Sequence, residues 1–343
     1  MKGCPFGSHR VIEPLGFLPQ AARKIDNSED LYDNEISVDV ETLNVDSASF
    51  TQMREACKDD ELGIAAMIID IVNNRGKLQN PVTGSGGMLI GRVSRIGEAL
   101  KDRKLEVGDR IASLVSLSLT PLKIERILKV HLEKDQVDVE GKAILFESGI
   151  YAKLPSDIPA KMALAVLDVA GAPAQVDKLV QRGMSVAILG GGGKSGVLCC
   201  YQAMKKCGDS GKVIVVEYSE ENAKRIRELN LAHEVVIADA TKPLEVYNKI
   251  HELTAGKLCD VVVNNVNVPN TEMSSILVTK NEGIVYFFSM ATSFTRAALG
   301  AEGVGKDITM IIGNGYTKGH DELALDILRE SDSIRRLFQK LYI

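Results

Sequence analysis

The run Ser185-Val186-Ala187-Ile188-Leu189 reads as a strand and leads directly into Gly190-Gly191-Gly192-Gly193-Lys194-Ser195-Gly196. An apolar helix from Gly196 to Cys207 is predicted to follow. This order describes a backbone cradle for phosphate groups. Read as G-x-G-x-x-G, its key positions are Gly191, Gly193 and Gly196. The first permits a tight turn, the second lets the backbone approach a pyrophosphate, and the third lets helix and strand pack closely. The helix N-terminus supplies free N–H groups and a partial positive charge, with Lys194 and Ser195 beside it. Glu217 closes the next strand, 21 residues beyond Gly196. A carboxylate there accepts hydrogen bonds from ribose hydroxyls and repels a 2′-phosphate, so the pattern predicts NAD as cofactor rather than NADP. The competing reading is a glycine-rich turn with a glutamate in a capping region. Lys194-Ser195 comes too early in the run for a P-loop.

Further candidates stand at the ends of later strands. Asn264, Asn265 and Val266 close the fourth strand of this half, and Ser289, Met290 and Ala291 close the fifth. Ligands lie outside the carboxyl ends of such strands, so both sets are expected as nicotinamide-side contacts, Asn265 and Ser289 first among them. Asp239 follows the third strand, where it either approaches an adenine or caps a solvated turn.

The elements that must carry these residues alternate regularly from about Ile158 onward. Strands are expected at Ser185–Leu189, Lys212–Glu217, Glu234–Ala238, Asp260–Asn264, Ile284–Ser289 and Ile308–Ile312. Helices are expected between them, at Gly196–Cys207, Glu220–Leu229 and Pro243–Thr254. Near-continuous apolar strands with crossover helices predict an α/β doubly wound parallel sheet of Rossmann type. Before about Pro155 the texture differs, with short strands, many turns and one helical stretch from about Phe50 to Asn74. Two domains are therefore expected, residues 1–157 and 158–343, as the length of 343 residues also suggests.

Composition excludes several classes of function. With 45% hydrophobic and 25% charged residues and a net charge of −5, the chain lacks the basic stripe of a nucleic-acid binder. No apolar run approaches the roughly 20 residues that span a bilayer, and Met1–Pro5 lacks a secretory pattern. A cytoplasmic protein is expected. Cys4, Cys57, Cys199, Cys200, Cys207 and Cys259 form no C-x-x-C pair and have no accompanying histidine cluster, so they read as reduced thiols, not metal ligands.

Upstream of the glycine loop lie Asn80-Pro81-Val82-Thr83-Gly84-Ser85-Gly86-Gly87-Met88-Leu89-Ile90-Gly91-Arg92-Val93 and then Val107-Gly108-Asp109-Arg110-Ile111. With the later glycine fingerprint, this resembles the medium-chain dehydrogenase/reductase superfamily. The resemblance implies a GroES-like β-rich first domain, a Rossmann second domain, and an active site in the cleft between them. It also implies a zinc-free member, because Ser85 stands where that superfamily has a zinc-binding histidine and Asp46 near its zinc-binding cysteine. The third ligand position falls close to Leu167 or Asp168, and the structural zinc lobe is absent. Most relatives add several strands after the sixth; this chain is expected to stop soon after it. The N-terminal stretch Met1-Lys2-Gly3-Cys4-Pro5-Phe6-Gly7-Ser8-His9-Arg10-Val11-Ile12-Glu13-Pro14 is similar to that of the L-erythro-3,5-diaminohexanoate dehydrogenase family.

That second resemblance implies oxidation of a C3 amine with NAD and water, giving a ketone, ammonium and NADH. Hydride leaves a carbon bearing a neutral amine, so the site needs a base, and then help for water to add to the iminium. Asp46 is the first candidate for this acid/base role; its alternative is a helix cap in Asp46-Ser47-Ala48-Ser49. Asp168 is a second, with a buried helix over Ala163–Ala170 as its alternative. Glu302, in an expected loop over Ala298–Lys306, is a candidate for the substrate's distal ammonium. Ser85 and Arg10 are candidates for the rest of the substrate, Arg10 meeting its carboxylate together with Lys153 or Lys306. His9 is a possible proton carrier. Competing functions are a zinc-free quinone or enoyl reductase of the same superfamily and a non-catalytic NAD-binding scaffold. A homodimer joined along the sixth strand is expected from the resemblance and from the need to cover a sheet edge.

Overall fold

The computed structural model describes every residue except Met290, Asn314 and Ile343. Its contacts divide the chain into two compact units, Met1–Ala160 and Lys161–Ile343.

Unit 1 is built on β1 (Val11–Glu13), β2 (Lys24–Ile25), β3 (Glu35–Val45), α1 (Ser47–Cys57), α2 (Glu61–Arg75), β4 (Gly87–Ile96), β5 (Arg110–Ser113), β6 (Leu122–His131), β7 (Gln136–Phe146) and β8 (Tyr151–Lys153). Six of these strands form one antiparallel sheet in the order β6-β7-β3-β4-β5-β8. The central β3 alternates apolar and polar residues over Ile36, Val38 and Val40, then changes register against both neighbours between Val40 and Thr42. Such a bulge bends and twists the strand. The core gathers Ile36, Leu43, Phe50, Met53, Ile64, Ile68 and Leu89, all fully buried.

The single helix expected over 50–74 is two helices. Lys58 and Asp59 take left-handed φ angles of 54° and 59°, ending α1, and Asp60 then caps α2 by accepting from Gly63 N at 3.0 Å. Both helices keep an apolar face toward the sheet, so the hydrophobic periodicity runs through the break. Only the capping carboxylates mark it.

Unit 2 continues with α3 (Ala160–Leu167), α4 (Gly171–Leu179), β9 (Ser185–Leu189), α5 (Lys194–Cys207), β10 (Lys212–Glu217), α6 (Glu220–Glu228), β11 (Glu234–Ile237), α7 (Pro243–Leu253), β12 (Cys259–Asn264), α8 (Glu272–Val278), β13 (Thr279–Phe287), α9 (Phe294–Gly303), β14 (Thr309–Ile312), α10 (His320–Glu330) and α11 (Asp332–Tyr342). Its sheet is parallel in the order β11-β10-β9-β12-β13-β14. The first three strands run outward one way from β9, and the next three run outward the other way. That arrangement is the doubly wound Rossmann sheet, with its topological switch between β9 and β12. Val186–Leu189, Val213–Val216 and Val261–Val263 are buried throughout, because helices cover both faces. The fifth strand begins earlier than expected, at Thr279. It carries a kink at Glu282 (φ 61°), where its register against β12 shifts. Among the described residues no helix is long and apolar enough to cross a membrane.

Candidate functional site

The glycine loop leaves β9 at the sheet's switch point. Gly190 N donates to Val216 O at 2.8 Å, tying the loop to β10, and Asn265 N donates to Leu189 O at 2.9 Å, tying it to the turn after β12. Gly190, not Gly191, takes the left-handed turn, with φ 76°. A side chain at Gly196 would meet Gly190 O at 2.1 Å, so helix and loop pack with no room for a methyl group. At Gly193, by contrast, an added Cβ would meet nothing. The working pattern is therefore Gly190, Gly193 and Gly196, spaced by three. The expected role of Gly191 in the turn passes to its neighbour, while Gly191 itself packs under Val215. The open backbone at Gly193, capping α5, leaves room for an anion against the free N–H groups of the first turn.

Glu217 is 7% exposed. Its Oε2 accepts from Gly192 N at 2.8 Å, and its Oε1 accepts from Tyr218 N at 3.0 Å and Ser219 N at 3.2 Å. A carboxylate offers about four acceptor positions. Three are used to shape the loop and the start of α6, which leaves room for one ribose hydroxyl. Lys194, the first residue of α5, donates to Asp168 Oδ2 at 2.8 Å. Asp168 is thus exposed just past α3 and paired with a lysine of the glycine loop, and not within the buried helix that was its alternative. Asp239 accepts from Thr241 N and Oγ1 at 2.9 and 2.7 Å, bonds that draw its pKa down and make it a turn former.

The loops after β12 and β13 supply the other side. Asn265 has its side-chain Oδ1 and Nδ2 buried without a hydrogen bond. It lies beside the Cys199 thiol, which burial pushes up to about 12 while Asn265 acts in the opposite direction. Buried amides are ordinarily satisfied, and a thiol is only a weak hydrogen-bond partner, so this amide keeps capacity for a stronger one. Ser289 is half-buried and its Oγ accepts from Ala291 N at 3.2 Å. Met290, expected in the same turn, lies outside the described residues.

In unit 1, Asp46 caps α1, its Oδ1 accepting from Ser49 N at 3.2 Å. Asp46 N also donates to Gly86 O at 3.4 Å, so Asp46 and the Ser85 turn share one corner of the sheet. That turn is shaped by Asn80, whose Oδ1 accepts from Val82 N at 2.7 Å and Thr83 N at 3.3 Å. Asn80 was not anticipated, although Asn-Pro-x-Thr-Gly is a turn signature with a mechanism. Ser85 itself is half-buried. Lys153 pairs with Asp109 at 2.6 Å.

Two expected substrate residues are displaced by the structure. Arg10 is 1% exposed and bonds to Glu35 through Nε at 2.6 Å and Nη2 at 2.7 Å, with its remaining N–H groups on Asp26, Ser28 O and Asp30 O. It anchors the N-terminal segment and has no donor turned to solvent. His9 joins the same network, 2.9 Å from Glu35 Oε1. Glu302 lies in α9, which extends to Gly303, and not in a loop. The turn after α9 is tied to the first residue of β13, Lys306 donating to Thr279 O at 2.6 Å. Glu302 therefore sits at the amino edge of the sheet, opposite the edge where ligands bind. Among the described residues no group of three or more His, Cys, Asp and Glu side chains is placed to hold a metal ion.

Comparison with known proteins follows the same division. Residues 9–155 match the family model described as the L-erythro-3,5-diaminohexanoate dehydrogenase N-terminal domain. The whole chain is 58% identical over 344 aligned positions to the L-erythro-3,5-diaminohexanoate dehydrogenase of Acetoanaerobium sticklandii, covering 100% of both chains. It is 57% identical to the enzyme of that name from Fusobacterium nucleatum, covering 100% of this chain and 99% of the other. Among solved structures, the CurK enoyl reductase superposes with a TM-score of 0.56 at 15% identity, covering 90% of this chain and 82% of that one. A mycobacterial quinone oxidoreductase superposes with a TM-score of 0.54 at 18% identity, covering 93% and 86%. These likenesses establish the fold, which the chain shares with an enoyl reductase and a quinone oxidoreductase.

Proposed function

The chain belongs to the L-erythro-3,5-diaminohexanoate dehydrogenase family, and from that premise we propose that it oxidatively deaminates L-erythro-3,5-diaminohexanoate with NAD. The products are 5-amino-3-oxohexanoate, ammonium and NADH, a step in anaerobic lysine degradation. The observation that carries this reading is 58% identity over the full length of a dehydrogenase of that name. A nicotinamide coenzyme fits the Rossmann unit at the open Gly193 backbone, the Gly190–Gly196 packing and the unsatisfied Asn265 amide. Gly193, Lys194 and Ser195 would hold its pyrophosphate, Glu217 its adenosine ribose, and Asn265 and Ser289 its nicotinamide side. When bound, the coenzyme supplies the hydride acceptor. NAD in preference to NADP rests on Glu217, whose charge repels a 2′-phosphate.

The protein's own part begins with the amine. Only the neutral nitrogen has a lone pair to stabilise the iminium as hydride departs from C3. Asp46 is the residue we assign to take the ammonium proton and release it to solvent, then to take a proton from the water that adds to the iminium and return it to the nitrogen as that nitrogen leaves. Its capping bond to Ser49 fixes the carboxylate without consuming both oxygens. Ser85, in the adjoining turn, offers a hydroxyl to the substrate. We retain the homodimer as part of the proposal. β14 ends the sheet, with Ile312 half exposed, and a second copy would cover that edge.

The test is direct. Purified protein is mixed with NAD and 3,5-diaminohexanoate, and NADH absorbance is followed beside quinone, enoyl and alcohol substrates. Turnover of the diamine with ammonium release is expected. Silence with the diamine and turnover of a quinone would overturn the assignment. Light scattering at twice the 37.2 kDa chain mass is the outcome expected for the dimer.

A further inference from the structure

The strand next to the switch point, β12, ends on Asn264, which is fully buried. Its Nδ2 donates to Thr271 Oγ1 and to Ser275 Oγ, both at 2.9 Å, and so fixes the start of α8. Its Oδ1 accepts from Val266 N at 3.0 Å, which closes the turn that carries Asn265. Its backbone carbonyl accepts from Phe288 N at 3.1 Å and Ser289 N at 3.3 Å, which holds the end of β13. One residue thus sets three pieces of backbone at the carboxyl edge of the sheet.

The coenzyme's orientation follows from the same sheet. Its pyrophosphate faces the loop after β9, and its adenosine faces Glu217 at the end of β10. The nicotinamide half must extend the other way, over the ends of β12 and β13. We propose that Asn264 is the positioning residue for that half: without touching the coenzyme, it sets the Asn265 and Ser289 turns that do. The inference rests on the coenzyme reading above. A second link has the same sense, since Glu272, 1% exposed and next to Thr271, accepts from Ser293 N at 2.8 Å and fastens α8 to the start of α9.

Asn264→Asp is the informative change. It keeps the size of the side chain and the acceptor for Val266 N, but turns a donor into a charged acceptor facing two hydroxyl oxygens. Ser275 can turn its hydroxyl proton toward it only by abandoning its bond from Oγ to Thr271 O at 3.3 Å. Ser275→Ala is the milder variant and removes one partner alone. Binding of NADH and of ADP-ribose, which lacks the nicotinamide, is measured by calorimetry on wild type and both variants, with Tm as a check on folding.

Asn264→Asp is expected to weaken NADH about tenfold, and Ser275→Ala about threefold, because small misplacements carry large penalties in positioned sites. ADP-ribose should stay within about twofold of wild type in both, since its contacts lie over β9 and β10. A merely structural asparagine would weaken both ligands together, and that result, or unchanged NADH binding in both variants, would overturn the proposal. Wild-type protein that binds neither ligand would remove the coenzyme reading itself, a different and recognisable failure.

Discussion

The backbone N–H of Gly192 donates to the Glu217 carboxylate at 2.8 Å, so the residue we propose to select the ribose also shapes the glycine loop. The two tasks separate by substitution. Glu217→Gln keeps an acceptor oxygen and the side-chain volume but removes the charge. The ratio of kcat/KM for NAD over NADP is expected to fall by roughly 10- to 100-fold, the 1.5–3 kcal/mol typical of hydrogen bonds to charged groups. An unchanged ratio would reduce Glu217 to a loop support.

Asp46 carries two roles that a pair of variants can part. Asparagine caps helices as well as aspartate does, whereas alanine costs about 1 kcal/mol. Asp46→Asn should therefore keep the wild-type Tm, and Asp46→Ala should lower it. Both should lose activity by about 10²- to 10⁴-fold if the carboxylate moves the substrate's protons. Full activity in Asp46→Asn would leave only the cap.

Arg10 and Glu35 form a fully buried ion pair, 2.6 Å apart. Burial, the largest single effect, would raise the Glu35 carboxyl, but the bonds and charge of Arg10, the Tyr32 N–H and the His9 bond together outweigh it and hold the pKa below the usual carboxylate range. Arg10→Met should destabilise unit 1 by about 3–5 kcal/mol, because it leaves Glu35 charged and unpaired in the interior. The double variant Arg10→Met/Glu35→Leu should recover much of that loss. Urea midpoints check both. Unchanged NADH affinity in the folded double variant would agree with an anchoring role, and a loss confined to substrate KM would return Arg10 to the substrate site.

What the sequence disclosed depended on how local each signal is. The parallel strands of unit 2 and the glycine loop were legible because apolar runs such as Val213–Val216 and a strand–glycine–helix order are local patterns. The family resemblance rested on short motifs in the same way. The role of Arg10 was not legible. Its partner Glu35 lies 25 residues away, at the start of β3, and a charged residue near a terminus defaults to the surface. Glu302 was misplaced because a run with three glycines, Gly300, Gly303 and Gly305, reads as loop, while Ala297 and Ala301 packing inward make it helix. The first position of the glycine pattern moved by one because four consecutive glycines give composition no means of choosing; only the left-handed φ of Gly190 and its carbonyl against Gly196 do. Asn264 was seen as a contact at a strand end. Its bonds to Thr271, Ser275 and Ser289 belong to tertiary structure.

Lys77 gives the molecule an unusual alkaline response. It is fully buried, and its Nζ donates to Pro19 O at 2.6 Å and Gln20 O at 3.4 Å with no carboxylate among these partners. Burial, aided by the charge of Arg75, lowers its pKa from 10.5 to about 8. Below pH 8 both the folded and unfolded chains carry this proton, and the folded state bears the full penalty of a buried charge. Between about pH 8 and 10.5 the folded chain has released the proton while the unfolded chain still holds it. The unfolded state then binds more protons, so this group's contribution to stability rises with pH. The gain approaches on the order of 3 kcal/mol across the window, from about 1.4 kcal/mol per pKa unit. Lys77→Met lacks the titrating group and should show no such rise. The urea midpoint of wild type relative to Lys77→Met is therefore expected to increase from pH 7.5 to pH 9.5. A difference that stays flat, or that falls, would mean that Lys77 keeps an ordinary pKa in the folded chain.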